Sequence, residues 1–268
     1  MTHVLSPVQG PPPRRRRGDG VRTVLRGVGE LLITLGLVVL LFVFYAVYVT
    51  DWLSAQRQRE ATAELNEQWR NPRGLADHPV EGDGIAKLYI PSFGPDYAFT
   101  VLEGTGANTL AIGPGHYPGT ALPGQPGNFA VAGHRVGKGA PFNDLDLLSS
   151  CDAIVVETVD QWFVYRVLPL QGEAENWAAS RARLPQCAGV GPLPGPYADV
   201  VGKQIVFPAQ SEVIAAVPGR PGLAPSPGQA GLITLTTCHP QFSARQRLIV
   251  HGVLVAAHPK VPASARPS

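Results

Sequence analysis

Residues 232–237 read as a strand, and Cys238 stands at its end, followed at once by His239 and Pro240. A cysteine attacks as its thiolate, so a nucleophilic role needs a base or a cation close by. Acyl transfer also needs a donor facing the oxyanion that develops. No Asp or Glu occurs after Glu212, so the nearby sequence offers His239, Arg245, Arg247 and His251 but no carboxylate to orient a base. A Cys/His/Arg set suits these residues better than Cys/His/Asp. His134 is the other candidate base: in GNFAVAGHR a strand breaks at Gly133 and delivers an imidazole at its end.

Plainer readings stand beside this one. A leftover thiol can be a small buried hydrophobe, and a single histidine a satisfied loop residue. Metal binding by Cys238, His239, His134 and His251 would join soft sulfur to imidazole, as zinc or copper prefers. Adjacent residues on a strand point to opposite faces, however, which separates Cys238 from His239. Asp144, Asp146 and Asp152 read as turn and capping residues rather than a calcium site, so no metal and no other cofactor is expected.

The elements that must position these groups begin at a membrane. Residues 1–30 hold six Arg against two acids, residues 51–82 four Arg against six, and residues 31–49 carry no charge at all. At about 1.5 Å per residue, those 19 residues cross a hydrocarbon core of roughly 30 Å as one helix. The run ends in Tyr45, Tyr48 and Trp52, aromatics suited to an interface. It is longer than the apolar stretch of a cleaved signal, and nothing besides the arginine run supports a twin-arginine signal. The basic end faces the cytoplasm by the positive-inside rule. The expectation is a disordered basic cytoplasmic tail (1–30), a single-pass anchor (31–50), a juxtamembrane helix and linker (51–82), an extracytoplasmic catalytic domain (83–258) and a short tail (259–268). The net charge of +2 gives nucleic acid nothing to follow.

With 30 Gly and 27 Pro in 268 residues, about a fifth of the chain, the body is loop-rich yet short of low complexity. Alternation and β-branched content predict strands at 85–90, 97–102, 128–132, 153–157, 162–168, 204–207, 232–237 and 247–255, separated by Gly/Pro turns. Only short helical pieces fit between them, for example at 142–148. The fold class is mostly β, a closed or nearly closed barrel. In an oxidising compartment thiols pair, and three cysteines leave one over. The favoured pair is Cys151 with Cys187, both in turn-like surroundings, which would staple a Pro/Gly-rich excursion near 169–203 and leave Cys238 free.

Taken in order, GPGHYPGTALPG, GNFAVAGHR and TLTTCHP running to RLIV, after an amino-terminal anchor, resemble a sortase, most closely the class E sortases of Gram-positive actinobacteria. The resemblance covers about residues 83–258. It implies a barrel of about eight strands and a cysteine transpeptidase acting outside the membrane on surface proteins with a carboxy-terminal sorting signal. By motif, Cys238 would attack between Thr and Gly of a Leu-Ala-X-Thr-Gly-like signal and form a thioacyl enzyme. His134 would act as acid and base, and Arg247 would hold the substrate and polarise the thioester oxygen. The acceptor would be a peptidoglycan precursor amine. Arg245 is the rival for the arginine role; Arg247 is preferred because it directly precedes LIV. Thr237, His239 and His116 are further candidates for substrate contact. The 30-odd residues before Gln204 depart from the family pattern, and a hydrolytic cysteine peptidase on the same fold remains an alternative.

Overall fold

The computed structural model describes residues 19–71, 79–225, 229 and 231–260. The basic run Arg14, Arg15, Arg16 and Arg17, residues 72–78 of the expected linker, and residues 261–268 of the expected tail lie outside the described residues.

Helix α1 spans Asp19–Phe44, so residues 19–30, expected within a disordered tail, are helical. No proline occurs between Pro13 and Pro72, and Arg26 pairs with Glu30 one turn on at 2.9 Å. The stretch Gly20–Phe44 contains an 18-residue window of mean hydropathy 2.5 and is long and apolar enough to cross a membrane.

The described residues from 47 onward form a compact unit of their own. It opens with α2, Thr50–Arg70, which contains no Gly or Pro. Nine strands follow: β1 (Gly84–Tyr89), β2 (Ala98–Glu103), β3 (Gly115–His116), β4 (Gly127–Ala132), β5 (Ala153–Glu157), β6 (Gln161–Val167), β7 (Lys203–Val206), β8 (Gly231–His239) and β9 (Gln246–Pro259). Eight of them run in the order β6-β5-β1-β2-β3-β4-β8-β9, and pairing of β6 with β9 closes the ring. The ninth, β7, lies along the first part of β9. The β2–β3 and β4–β8 pairs are parallel, the others antiparallel. The segments read from alternation all appear; β3, two residues long, is too short to show any. The helix expected at 142–148 is a single tight turn, Leu145–Leu147, because Phe142, Leu145 and Leu148 recur every third residue and all three enter the core.

Alternation along the strands sends Phe129 and Val131 of β4, Ile233 and Leu235 of β8, and Leu248 and Val250 of β9 into that core. The opposite parity faces outward. On the other side of the ring, α2 covers the edge of β2. The Gln58 amide donates to Thr100 O and accepts from Thr100 N, both at 2.9 Å, so one side chain replaces a missing neighbouring strand. Leu65 is buried one helical face further on.

Cys151 and Cys187 form a disulfide, with an S–S distance of 2.00 Å. It ties down the connection between β6 and β7. Trp177 and Val190 pack beside the disulfide, against Val255. Tyr197 and Val200 pack with Val217 on Leu232 and Val253. This excursion therefore covers the outer surface near the start of β8. Cys238 sits six residues further along the strand.

Candidate active site

Three strands bring the chemistry together. β4 and β8 run in parallel register up to Ala132 opposite Thr236. The pairing continues past the last strand residue: Gly133 N donates to Thr236 O at 3.0 Å, and Thr237 Oγ1 donates to Gly133 O at 2.8 Å. Carried one residue further, the same register sets His134, just past the end of β4, beside Cys238. On the other side, Cys238 is the direct antiparallel partner of Arg247 in β9. Residues level across a sheet share a face, with Cβ atoms roughly 4.5–5.5 Å apart in an antiparallel pair. All three have outward parity. Cys238 is therefore flanked on the barrel's outer face by an imidazole on one side and a guanidinium on the other.

Each flanking group is held. Arg247 Nη1 donates to Ala244 O at 2.9 Å and to Gln246 O at 3.0 Å, which fixes the fork and leaves Nε and Nη2 as its remaining donors. Arg245 lies exposed in the β8–β9 loop, outside the strand and with no partner opposite it in β8. His134 is half-buried, its backbone carbonyl accepts from Phe142 N at 3.0 Å, and its Nε2 is buried with no hydrogen-bond partner among the described residues. Burial, then the positive charge of Lys138, hold its pKa below the usual imidazole range. Cys238 is a free thiol, partly exposed.

Thr237, His239 and His116, expected to contact substrate, do not share this face. Thr237 points inward and spends its hydroxyl on the β4–β8 clamp. His239 also has inward parity, and Arg135 Nη1 donates to its Nδ1 at 2.8 Å. His116 is level with Val131 and stacks on Phe129 inside the barrel. Its Nδ1 lies 2.6 Å from Glu103 Oε2. Two residues missed in the sequence take their places. Tyr117, next to His116 and of opposite parity, reaches Thr236 Oγ1 at 3.0 Å and so borders the surface beside Cys238. Arg135, next to His134, is buried and bridges His239 to Asp146 Oδ2 at 2.8 Å, tying the ends of β4 and β8 from inside. In both cases period-2 alternation around a picked residue was the available signal.

Further back on the outer face, a polar chain crosses four strands. Thr234 Oγ1 gives its proton to Asn128 Oδ1 at 2.7 Å, so it accepts from His251 Nδ1 at 2.8 Å, and His251 Nε2 accepts from Gln204 Nε2 at 3.2 Å. Asn128 Nδ2 ends the chain on Ile214 O and Ala215 O of the β7–β8 connection. His251 is fully buried, and desolvation lowers its pKa to about 4, which keeps it neutral. That connection also packs Val213 on Val206 and Ile249, walling the outer face beside Arg247. With both ring nitrogens of His251 engaged and His239 facing inward, the metal set considered above is not assembled. Among the described residues no group of three His, Cys, Asp or Glu is placed to hold a metal ion.

Comparison with known proteins points to one family. A profile of the Sortase domain matches residues 88–255. The chain is 32% identical over 264 residues to sortase SrtE1 of Streptomyces coelicolor, spanning 96% of this chain and 64% of that protein, just under two thirds of its length. It is 30% identical to sortase SrtE2 of the same organism, over 90% of this chain and 86% of that one. Among solved structures, the SrtF sortase from Corynebacterium diphtheriae is similar with a TM-score of 0.62 and 44% identity, covering 72% of this chain and 94% of that chain.

Proposed function

The chain belongs to the sortase family, and on that premise we propose that it is a membrane-anchored cysteine transpeptidase of class E type, joining proteins with a sorting signal to a cell-wall amine. What supports this reading is Cys238 directly opposite Arg247 in β9, with His134 just past the end of β4, the strand on its other side. Cys238 yields its proton to His134 and attacks the Thr carbonyl of a Leu-Ala-X-Thr-Gly-like signal. The Nε and Nη2 donors of Arg247 face the oxygen that becomes negative. As the intermediate collapses, the Thr–Gly C–N bond breaks and His134 hands its proton to the departing Gly amine, leaving a thioester on Cys238. The acceptor amine then attacks that thioester, returns a proton to His134 and expels the thiolate.

A depressed imidazole pKa suits this cycle, because His134 starts neutral and releases its proton readily to an amine. The apolar helix α1 supports anchoring, with the basic amino terminus in the cytoplasm and the barrel outside. Free amine and water compete for the same thioester, so incubating the protein with a Leu-Ala-X-Thr-Gly peptide and a peptidoglycan stem-peptide amine tests the reading. A ligated product by mass is the expected result. Cleavage without ligation at any amine concentration would instead make the protein a peptidase.

A further inference from the structure

The loop that carries the chain away from His134 has a rare backbone. Gly137, Lys138, Gly139 and Ala140 have φ of 64°, 52°, 75° and 36°, four left-handed residues in succession, two of them bearing a Cβ. Such residues persist only where surrounding structure holds them. Local restraints include Ala140 N to Gly137 O at 3.0 Å, Asn143 N to Ala140 O at 3.1 Å, Phe142 N to His134 O at 3.0 Å, and Tyr97 Oη to Pro141 O at 2.6 Å. A further restraint comes from 88 residues upstream: Gly139 N donates to Asp51 Oδ1 at 2.9 Å. Asp51 lies in the first turn of α2. One turn on, Ser54 lies so near that a Cβ on Gly139 would sit 3.5 Å from its Cβ.

We propose that Asp51 is a positioning residue for His134: by accepting the Gly139 N–H it holds the left-handed loop, and with it Lys138, beside the imidazole. The first turn of the helix that follows the apolar segment is thereby part of the active centre. Lys138 lies near enough to influence His134 electrostatically, so a loop that shifts takes that charge with it. The other charged or titratable groups around His134 are Cys238 from β8 and Arg247 from β9 on its own face, with Arg135 on the inward side. None of these touches the loop through Gly139. The proposal rests on His134 serving the transfer proposed above.

The test uses the full-length chain in detergent micelles. Turnover of a Leu-Ala-X-Thr-Gly peptide and the NMR titration of the His134 imidazole, assigned by its loss in His134→Gln, are compared for wild type, Asp51→Ala, Asp51→Asn and Ser54→Ala. Asp51→Ala should lower kcat about tenfold or more with KM within about twofold, and the His134 midpoint should rise as Lys138 leaves. Asp51→Asn keeps an oxygen for Gly139 N–H and should restore most of the rate and the midpoint. Ser54→Ala removes the helix's bond to Ala111 O without touching Gly139 and should leave the midpoint unchanged. Wild-type turnover by Asp51→Ala, an unmoved His134 midpoint, or an equal shift in Ser54→Ala would each overturn the proposal. If wild type itself turned over no sorting peptide, the transfer reading would fall, and the His134 midpoints would still decide the role of Asp51.

Discussion

The two ends of β8 differ in what they bury and what they leave open. At the start of the strand, Leu232 lies under Tyr197 and Val200 of the excursion stapled by Cys151 and Cys187, and under Val217 of the β7–β8 connection. Six residues on, roughly 20 Å at strand rise, Cys238 is partly exposed between an imidazole and a guanidinium. Between the ends lies the satisfied chain from Gln204 to Asn128. One strand thus passes from apolar anchorage, through a fixed polar layer, to unspent polar groups. Rigidity at the first end lets the second hold reactive side chains in place without packing over them. Changes at the first end should cost stability, and changes at the second should cost rate.

The largest effect sharpens that contrast. Cys238→Ala should lower turnover by roughly 10³-fold or more while the thermal unfolding midpoint stays within a few degrees of wild type; measurable turnover would move the nucleophile elsewhere. Arg247→Lys should cost roughly 10²-fold, since a point-charge ammonium cannot reproduce the forked donors. Arg245→Lys should stay within about twofold of wild type by the same peptide assay. Equal losses in the two variants would break the assignment built on the strand register.

Replacing both Cys151 and Cys187 with Ser belongs to the opposite end. Their sequence separation is 36 residues, and loss of such a link should cost about 2–4 kcal/mol in denaturant unfolding, with kcat within about twofold. A collapse of kcat at intact stability would contradict the division of labour along β8. A stability effect of similar size lies in the middle layer. The His251 pKa is about 4 in the folded protein against about 6.5 unfolded, so its contribution is fully present above pH 6.5 and is lost as pH falls toward 4. The size is about 3 kcal/mol. Wild type should lose unfolding free energy over that window, and His251→Gln should lose less; parallel curves would remove His251 as the source.

Much of this architecture was legible because it rests on period and turn chemistry. Strand 153–157 is legible at the bounds the structure gives it, since Ile154, Val155 and Val156 are β-branched and both ends are marked by turns. Cys238 and His134 stand out because each lies at or just past the end of a strand, and those strands, β8 and β4, pair in parallel. The sequence could not show which face His116, Thr237 and His239 take. One residue of register decides that, and β3 is too short to announce its phase. The contact of Asp51 with Gly139 was also invisible, because a helix and a loop 88 residues apart leave no periodic trace of their meeting. The helical start at Asp19 was missed because basic, glycine-containing sequence reads as a tail until its continuity with the apolar run is weighed.

The most direct test of the account is the intact mass of the protein after brief incubation with a Leu-Ala-X-Thr-Gly peptide, followed by addition of an amine. The account predicts an added mass equal to the peptide up to its Thr, located on Cys238, absent in Cys238→Ala and discharged by the amine as ligated product. No adduct with any sorting peptide, or an adduct that persists in Cys238→Ala, would contradict it.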